Sequence, residues 1–202
     1  MPVSLKRKYE RILARERALA NTLSRSVLRP KPFGVWDIMI PMVFILNFMK
    51  NKQAKELFIQ NFMFTKKLAL QAAYDMLQKG RSLEEVQAQI KEKTDAVLES
   101  ETEGIYSDLI RQEQMKEIDL LIDHYGRLLK TDGKDYILLV VNAYRNRQNY
   151  TAFIRQLETA EKNVSKAARI TLGDQTDTAA LARLEDALAR ARLAEVDHIF
   201  RS

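Results

Sequence analysis

Apolar residues recur at intervals of three and four along most of this chain, and each such run predicts an amphipathic helix. The first lies between Ser4, placed to act as its N-cap, and Leu28. Leu5, Tyr9, Ile12, Leu19 and Leu23 form its stripe, which Glu16 interrupts. From Glu56 to Lys79 a second helix carries Phe58, Phe62, Ala69, Ala73 and Met76 on one face, interrupted by Thr65, and Gly80 stands where a C-cap belongs. Ser82-Leu83-Glu84-Glu85 has the S-x-x-E form of a capping box and opens a helix with Leu83, Val86, Ile90, Thr94 and Val97 in line. A long helix over 105–130 repeats Met115, Ile118, Ile122, Tyr125 and Leu129 at heptad-like spacing. Tyr136 to Val141, YILLVV, has the β-propensity of a strand, but no second strand pattern exists to pair with it. A buried helix is therefore expected there, running to Asn146 and then continuing or kinking into a helix over 149–170 with Tyr150, Phe153, Leu157 and Val164 inward. Gly173-Asp174 breaks the chain, and a last helix over 178–200 turns Leu181, Leu184 and Leu188 inward.

One stretch departs from this pattern. Phe33 to Met49, FGVWDIMIPMVFILNFM, is apolar at 13 of its 17 positions, holds the single Trp and contains no Lys or Arg. As one helix it would reach only about 25 Å at 1.5 Å per residue, short of a hydrocarbon core of roughly 30 Å. Pro41 has no N–H to give the carbonyl of Asp37, so a kink between two short half-helices is expected. Arg29-Pro30-Lys31-Pro32 ends the preceding helix, because each Pro drives the residue before it toward extended geometry. The expected fold is all-α: an elongated multi-helix bundle with a Pro-kinked apolar helical hairpin and a basic N-terminal amphipathic helix. Its parts are a basic amphipathic arm at 1–31, the apolar helical hairpin at 32–80 and a charged helical bundle at 81–202.

Composition adds two points. Gly and Pro are scarce, at 6 and 4, and Cys is absent, which suits helices and excludes disulfides and thiolate metal sites. The net charge of +6 is unevenly placed: residues 1–31 hold nine Lys or Arg against two Glu, and the remainder is close to neutral. Such an arm attracts anionic lipid, nucleic acid or an acidic protein face. The charged lead before the apolar run is far longer than the n-region of a secretory signal and no small-residue cleavage site follows, so a cytoplasmic location is expected.

Candidate catalytic chemistry is thin. There is no G-x-G-x-x-G and no phosphate-cradling P-loop. Glu195-x-x-His198 has the spacing used in di-iron bundles, which need a second such pair and two further inward Glu. His124 has Leu121 at the matching position, so the set is incomplete, and His198 is expected on the solvent side. His124 is expected to be an exposed or hydrogen-bonded helix residue, and Asp119 and Asp123 solvated acids. No catalytic residue, metal ligand or cofactor is assigned, and a non-catalytic role is expected. Nucleic-acid binding would rest on the basic arm alone, where Lys and Arg give only salt-dependent, non-specific attraction and no reader motif is present.

The apolar segment defines the expected function. Basic clusters on both flanks favour keeping both ends on one side of a membrane, which with Pro41 points to a shallow re-entrant or surface-lying hairpin. Phe33, Trp36, Ile38, Met39, Ile40, Val43, Phe44 and Phe48, with Phe58 and Phe62, are the candidate membrane- or partner-inserting residues. Lys6, Arg7, Lys8, Arg11, Arg15, Arg29 and Lys31 are the candidates to meet anionic lipid. The expected role is a membrane-surface-associated helical scaffold or interaction protein at the inner face of the cell membrane. The alternative is a soluble helical-bundle adaptor that self-associates or binds a protein partner through the Phe/Met-rich hairpin.

Overall fold

The computed structural model describes residues 3–27, 54–99, 106–173 and 178–201. The segment Phe33–Met49, its Pro41 kink, and Arg29 and Lys31 lie outside the described residues. Within them the chain forms seven helices and no strand: α1 (Leu5–Val27), α2 (Ala54–Lys79), α3 (Leu83–Glu99), α4 (Asp108–Lys130), α5 (Tyr136–Tyr144), α6 (Arg147–Leu172) and α7 (Thr178–Ile199).

Local chemistry sets most of these boundaries. The capping box forms reciprocally: Glu85 N–H donates to Ser82 Oγ at 3.2 Å, and Ser82 N–H donates to Glu85 Oε2 at 2.9 Å. Gly80 ends α2 at φ 66, a left-handed conformation that glycine adopts without cost. Ser107 caps α4, so that helix starts at Asp108 and not at Ile105. YILLVV is helical, opened by Asp135, whose carboxylate accepts from Leu138 N–H at 2.9 Å. It turns Leu139 and Val140 fully inward, an interior place that strand-formers accept in a helix when no partner strand exists. This helix stops at Tyr144, short of the expected Asn146, because Arg145 takes φ 69 and Asn146 then caps α6 through Asn149 N–H at 2.8 Å.

The long helices run alternately up and down. Tyr9 on α1 meets Gln71 and Tyr74 on α2, whereas Ala20 and Leu23 pack with Phe58, Ile59, Phe62 and Met63, so α1 and α2 are antiparallel. Lys8 reaches the carbonyl of Leu129 and Glu16 meets Tyr125, so α4 also runs against α1. Arg15 meets Glu195 while Ala187 and Leu188 join the Ala20–Leu23 cluster, which sets α7 antiparallel to α1. The pairs Gln87–Asp119 and Arg111–Asp95 set α3 against α4; Ser107–Thr171 and His124–Phe153 set α6 against α4. One end of the bundle, called apical below, thus gathers the C-termini of α1, α3 and α6 and the N-termini of α2, α4 and α7. The main core lies toward the opposite end, around Ile12, Leu70, Ile118, Leu121, Tyr125, Leu128 and Leu139; a second cluster under the apical end joins α1, α2 and α7. Among the described residues, no helix is long and apolar enough to cross a membrane.

Candidate functional site

Charged side chains from five helices meet inside this bundle. Glu16 of α1, Lys66 of α2, Glu117 of α4, Glu161 of α6 and Arg192 of α7 face a common interior, with Arg15 and Glu195 beside them. Arg192 Nη2 lies 2.6 Å from Glu161 Oε1, and Lys66 Nζ lies 3.6 Å from that same oxygen. Lys66 Nζ also sits 4.6 Å from the centre of the Phe62 ring, a cation–π contact. Thr65 donates to Glu117 Oε1 at 3.1 Å, Tyr125 to Glu16 Oε1 at 2.9 Å, and Tyr150 to Glu195 Oε1 at 3.1 Å. Arg15 Nη2 closes on the other oxygen of Glu195 at 3.1 Å.

Burial sorts these carboxyls by their partners. Desolvation pushes Glu117 up to about 7; Lys66 pulls it back in part and the Glu161 charge opposes that pull. Glu16 is raised by burial in the same way. Burial also pushes Glu161 upward, but Arg192 and Lys66 together more than offset it, and Glu161 stays below the ordinary glutamate value. Glu161 is thus the one anion that the two buried cations share, while burial raises Glu117 and Glu16 above the ordinary glutamate value.

The network forms the floor of a cleft of about 270 Å³ that opens between α6 and α7. Thr65, Lys66, Glu117, Glu161 and Arg192 line its deep side, and Phe62, Ile110, Val164, Ala168, Leu184 and Leu188 form its apolar walls. Arg192 is 3% exposed, and its Nη1 is buried with no hydrogen-bond partner among the described residues.

The structure distributes the sequence candidates unevenly. Phe58 and Phe62 belong to the core between α1, α2 and α7, at 2% and 6% exposure, and are not presented at the surface of this bundle. Lys8 is likewise removed from the solvent-facing basic set: its ammonium bonds the Leu129 carbonyl at 3.2 Å and pairs with Asp132 at 3.5 Å. Arg15 is committed to Glu195, and Arg11 is half-buried with Nη1 enclosed. Lys6 and Arg7 are exposed, at the end of α1 opposite the apical one. Phe33, Trp36, Ile38, Met39, Ile40, Val43, Phe44, Phe48, Arg29 and Lys31 fall outside the described residues.

Glu195-x-x-His198 divides as its two ends face different ways: Glu195 points inward and His198 is exposed. His124 is not exposed. It is buried, hydrogen-bonded to Tyr144 Oη at 2.7 Å and stacked on Phe153 at 4.2 Å, and burial, aided by Lys66 and Arg127, pushes its pKa down to about 3. Four inward glutamates therefore exist, but Lys66 and Arg192 stand among them where a metal ion would need room. No group among the described residues has the arrangement to hold a metal ion. Sequence reasoning missed Lys66, Glu117, Glu161 and Arg192 as a set; the signal that was present is the interruption of two apolar stripes by Glu16 and Thr65. Comparison with protein-family models, with curated proteins and with solved structures finds no match.

Proposed function

We propose that this chain is a non-catalytic helical scaffold that associates with a membrane surface, apical end first, through Phe33–Met49. The observation that supports this reading is the antiparallel packing of α1 on α2. Val27 and Ala54, which bound residues 28–53, stand at the same end of the bundle. Both flanks of the apolar segment then approach a surface from one side, as the basic residues Arg29, Lys31, Lys50 and Lys52 favour. Arg25 and Lys55 are exposed beside these anchor points, and each base near an anionic leaflet adds about 1 kcal/mol of attraction. Lys6 and Arg7 lie roughly 30 Å away along α1, at 1.5 Å per residue, and contribute little.

Co-sedimentation with phosphatidylserine-containing vesicles tests the reading. The chain sediments, and Phe44→Asp with Phe48→Asp abolishes this. Arg25→Glu with Lys55→Glu weakens binding by roughly tenfold or more, from about 1 kcal/mol per base, whereas Lys6→Glu with Arg7→Glu leaves it nearly unchanged. Failure to sediment, or equal losses from the two charge-reversed pairs, overturns it.

A further inference from the structure

We infer that the α6–α7 cleft binds a single-chain amphiphile with a carboxylate head, a medium-chain fatty acid being the simplest example, and that Arg192 and Lys66 hold the head. Three observations converge on this ligand class. The first is the orphaned guanidinium nitrogen. A buried N–H without an acceptor costs stability unless something supplies one, and Arg192 Nη1 is such a group on a side chain that lines the cleft. The second is the sharing of one anion by two cations: Arg192 Nη2 and Lys66 Nζ both rest on Glu161 Oε1. A ligand carboxylate at this depth offers Nη1 an acceptor and gives Lys66 a second oxygen, which are charge-assisted bonds in a poorly solvated place. The third is the shape and lining above that floor. The walls are Phe62, Ile110, Val164, Ala168, Leu184 and Leu188, and the volume of about 270 Å³ sits at the small end of ligand cavities, suited to one chain.

Charges at the mouth are mixed. Glu185 lies 4.0 Å from Arg169, with its Oε1 buried and accepting no hydrogen bond among the described residues, Asp186 pairs with Arg190 at 3.6 Å, and Lys162 and Glu158 stand one turn apart on α6. Glu117, facing the same floor, bonds to Thr65. It is the carboxyl most ready to take up a proton as an anion arrives.

Isothermal titration of the full chain with sodium decanoate below its micellar concentration tests the inference, with decanol and decyltrimethylammonium as controls. Decanoate binds saturably at one site, and both controls bind about tenfold or more weakly, the ordinary worth of a charge-assisted bond. Ala189→Trp places a bulky ring on the exposed α7 wall of the cleft, away from the buried charges, and abolishes decanoate binding while the circular dichroism spectrum and melting temperature stay as in wild type. Arg192→Gln, where it folds, binds decanoate and decanol alike. Equal binding of the cationic control, absence of saturable decanoate binding, or decanoate binding indifferent to Ala189→Trp overturns the inference. The last outcome assigns the ligand to another apolar region, Phe33–Met49 included. Because free decanoate replaces vesicles throughout, failure here leaves the docking reading untouched, and failure of docking leaves the cleft untouched.

Discussion

Replacing Glu117 by Gln should make this protein more stable near pH 8 and leave it unchanged near pH 4.5. The direction follows from where the carboxyl titrates. Burial holds Glu117 up to about 7 in the native bundle, against 4.5 for an ordinary glutamate. The folded state therefore binds the proton more tightly than the unfolded chain, and stability falls as pH rises from 4.5 to about 7, with the whole penalty present above that. At 1.36 kcal/mol per pH unit the penalty is about 3 kcal/mol. Glutamine keeps the shape, still accepts from Thr65 and cannot ionise, so the variant escapes it. His124 complicates the absolute curves. Burial pushes it down to about 3 from an ordinary 6.5, so its contribution is complete above 6.5 and is lost as pH falls toward 3. Between 4.5 and 6.5 the His124 and Glu117 slopes oppose each other in wild type, which leaves that stretch nearly flat from these two groups. In the variant the His124 slope stands alone. Glu16 acts in the same direction as Glu117 but is common to both proteins and cancels in the difference. Urea denaturation of wild type and Glu117→Gln from about pH 4.5 to 8 reads this directly. The stability difference should be near zero at the acid end and grow to about 3 kcal/mol in favour of Gln at the alkaline end. A difference that does not grow with pH, or a wild type that is the more stable protein at pH 8, refutes the assignment of Glu117 as an unpaired carboxyl in a desolvated site.

Two stability predictions concern residues that the sequence marked differently. Ser82→Ala removes the hydroxyl that accepts from Glu85 N–H, leaves the backbone N–H of position 82 to donate to Glu85, and should cost about 1 kcal/mol by urea denaturation, with loss of helicity confined to α3. Phe58→Ala empties a site 2% exposed and stacked on Phe62, and should cost about 3–5 kcal/mol. If Phe58 is core and not an inserting residue, vesicle binding by the folded fraction stays unchanged.

The residues that were legible and those that were not differ in how far their partners lie along the chain. Helix boundaries are local: Ser82 bonds a residue three positions on, Asp135 bonds Leu138, and Gly80 needs only its own φ, so sequence spacing finds them. Apolar stripes are also local, and Ile118, Ile122, Tyr125 and Leu129 are buried as their period requires. Lys66, Glu117, Glu161 and Arg192 have no such period. Each is one charged residue on a helix otherwise rich in them, and only the up-and-down stacking of α2, α4, α6 and α7 turns these four inward together. Glu16 and Thr65 were visible as breaks in an apolar stripe, and they prove to be the half-buried partner of Tyr125 and the buried partner of Glu117. A polar residue on the core face of a helix is thus better treated as a half-bond seeking its other half than as a flaw in the stripe.

The same reasoning divides the basic residues of α1 by where the helix points them. A charge count treats Lys6, Arg7, Lys8, Arg11 and Arg15 as equivalent, but a helix points them in different directions. Lys8 and Arg15 turn toward α4 and α7, where a backbone carbonyl and Glu195 receive them, while Lys6 and Arg7 face water far from the apical end. Removing Glu195 would leave Arg15 without its partner and Tyr150 without an acceptor. Lys8 and Arg15 are therefore spent on fixing how α1 sits against its neighbours, while Arg25 and Lys55 stand exposed near the ends of α1 and α2 that bound residues 28–53.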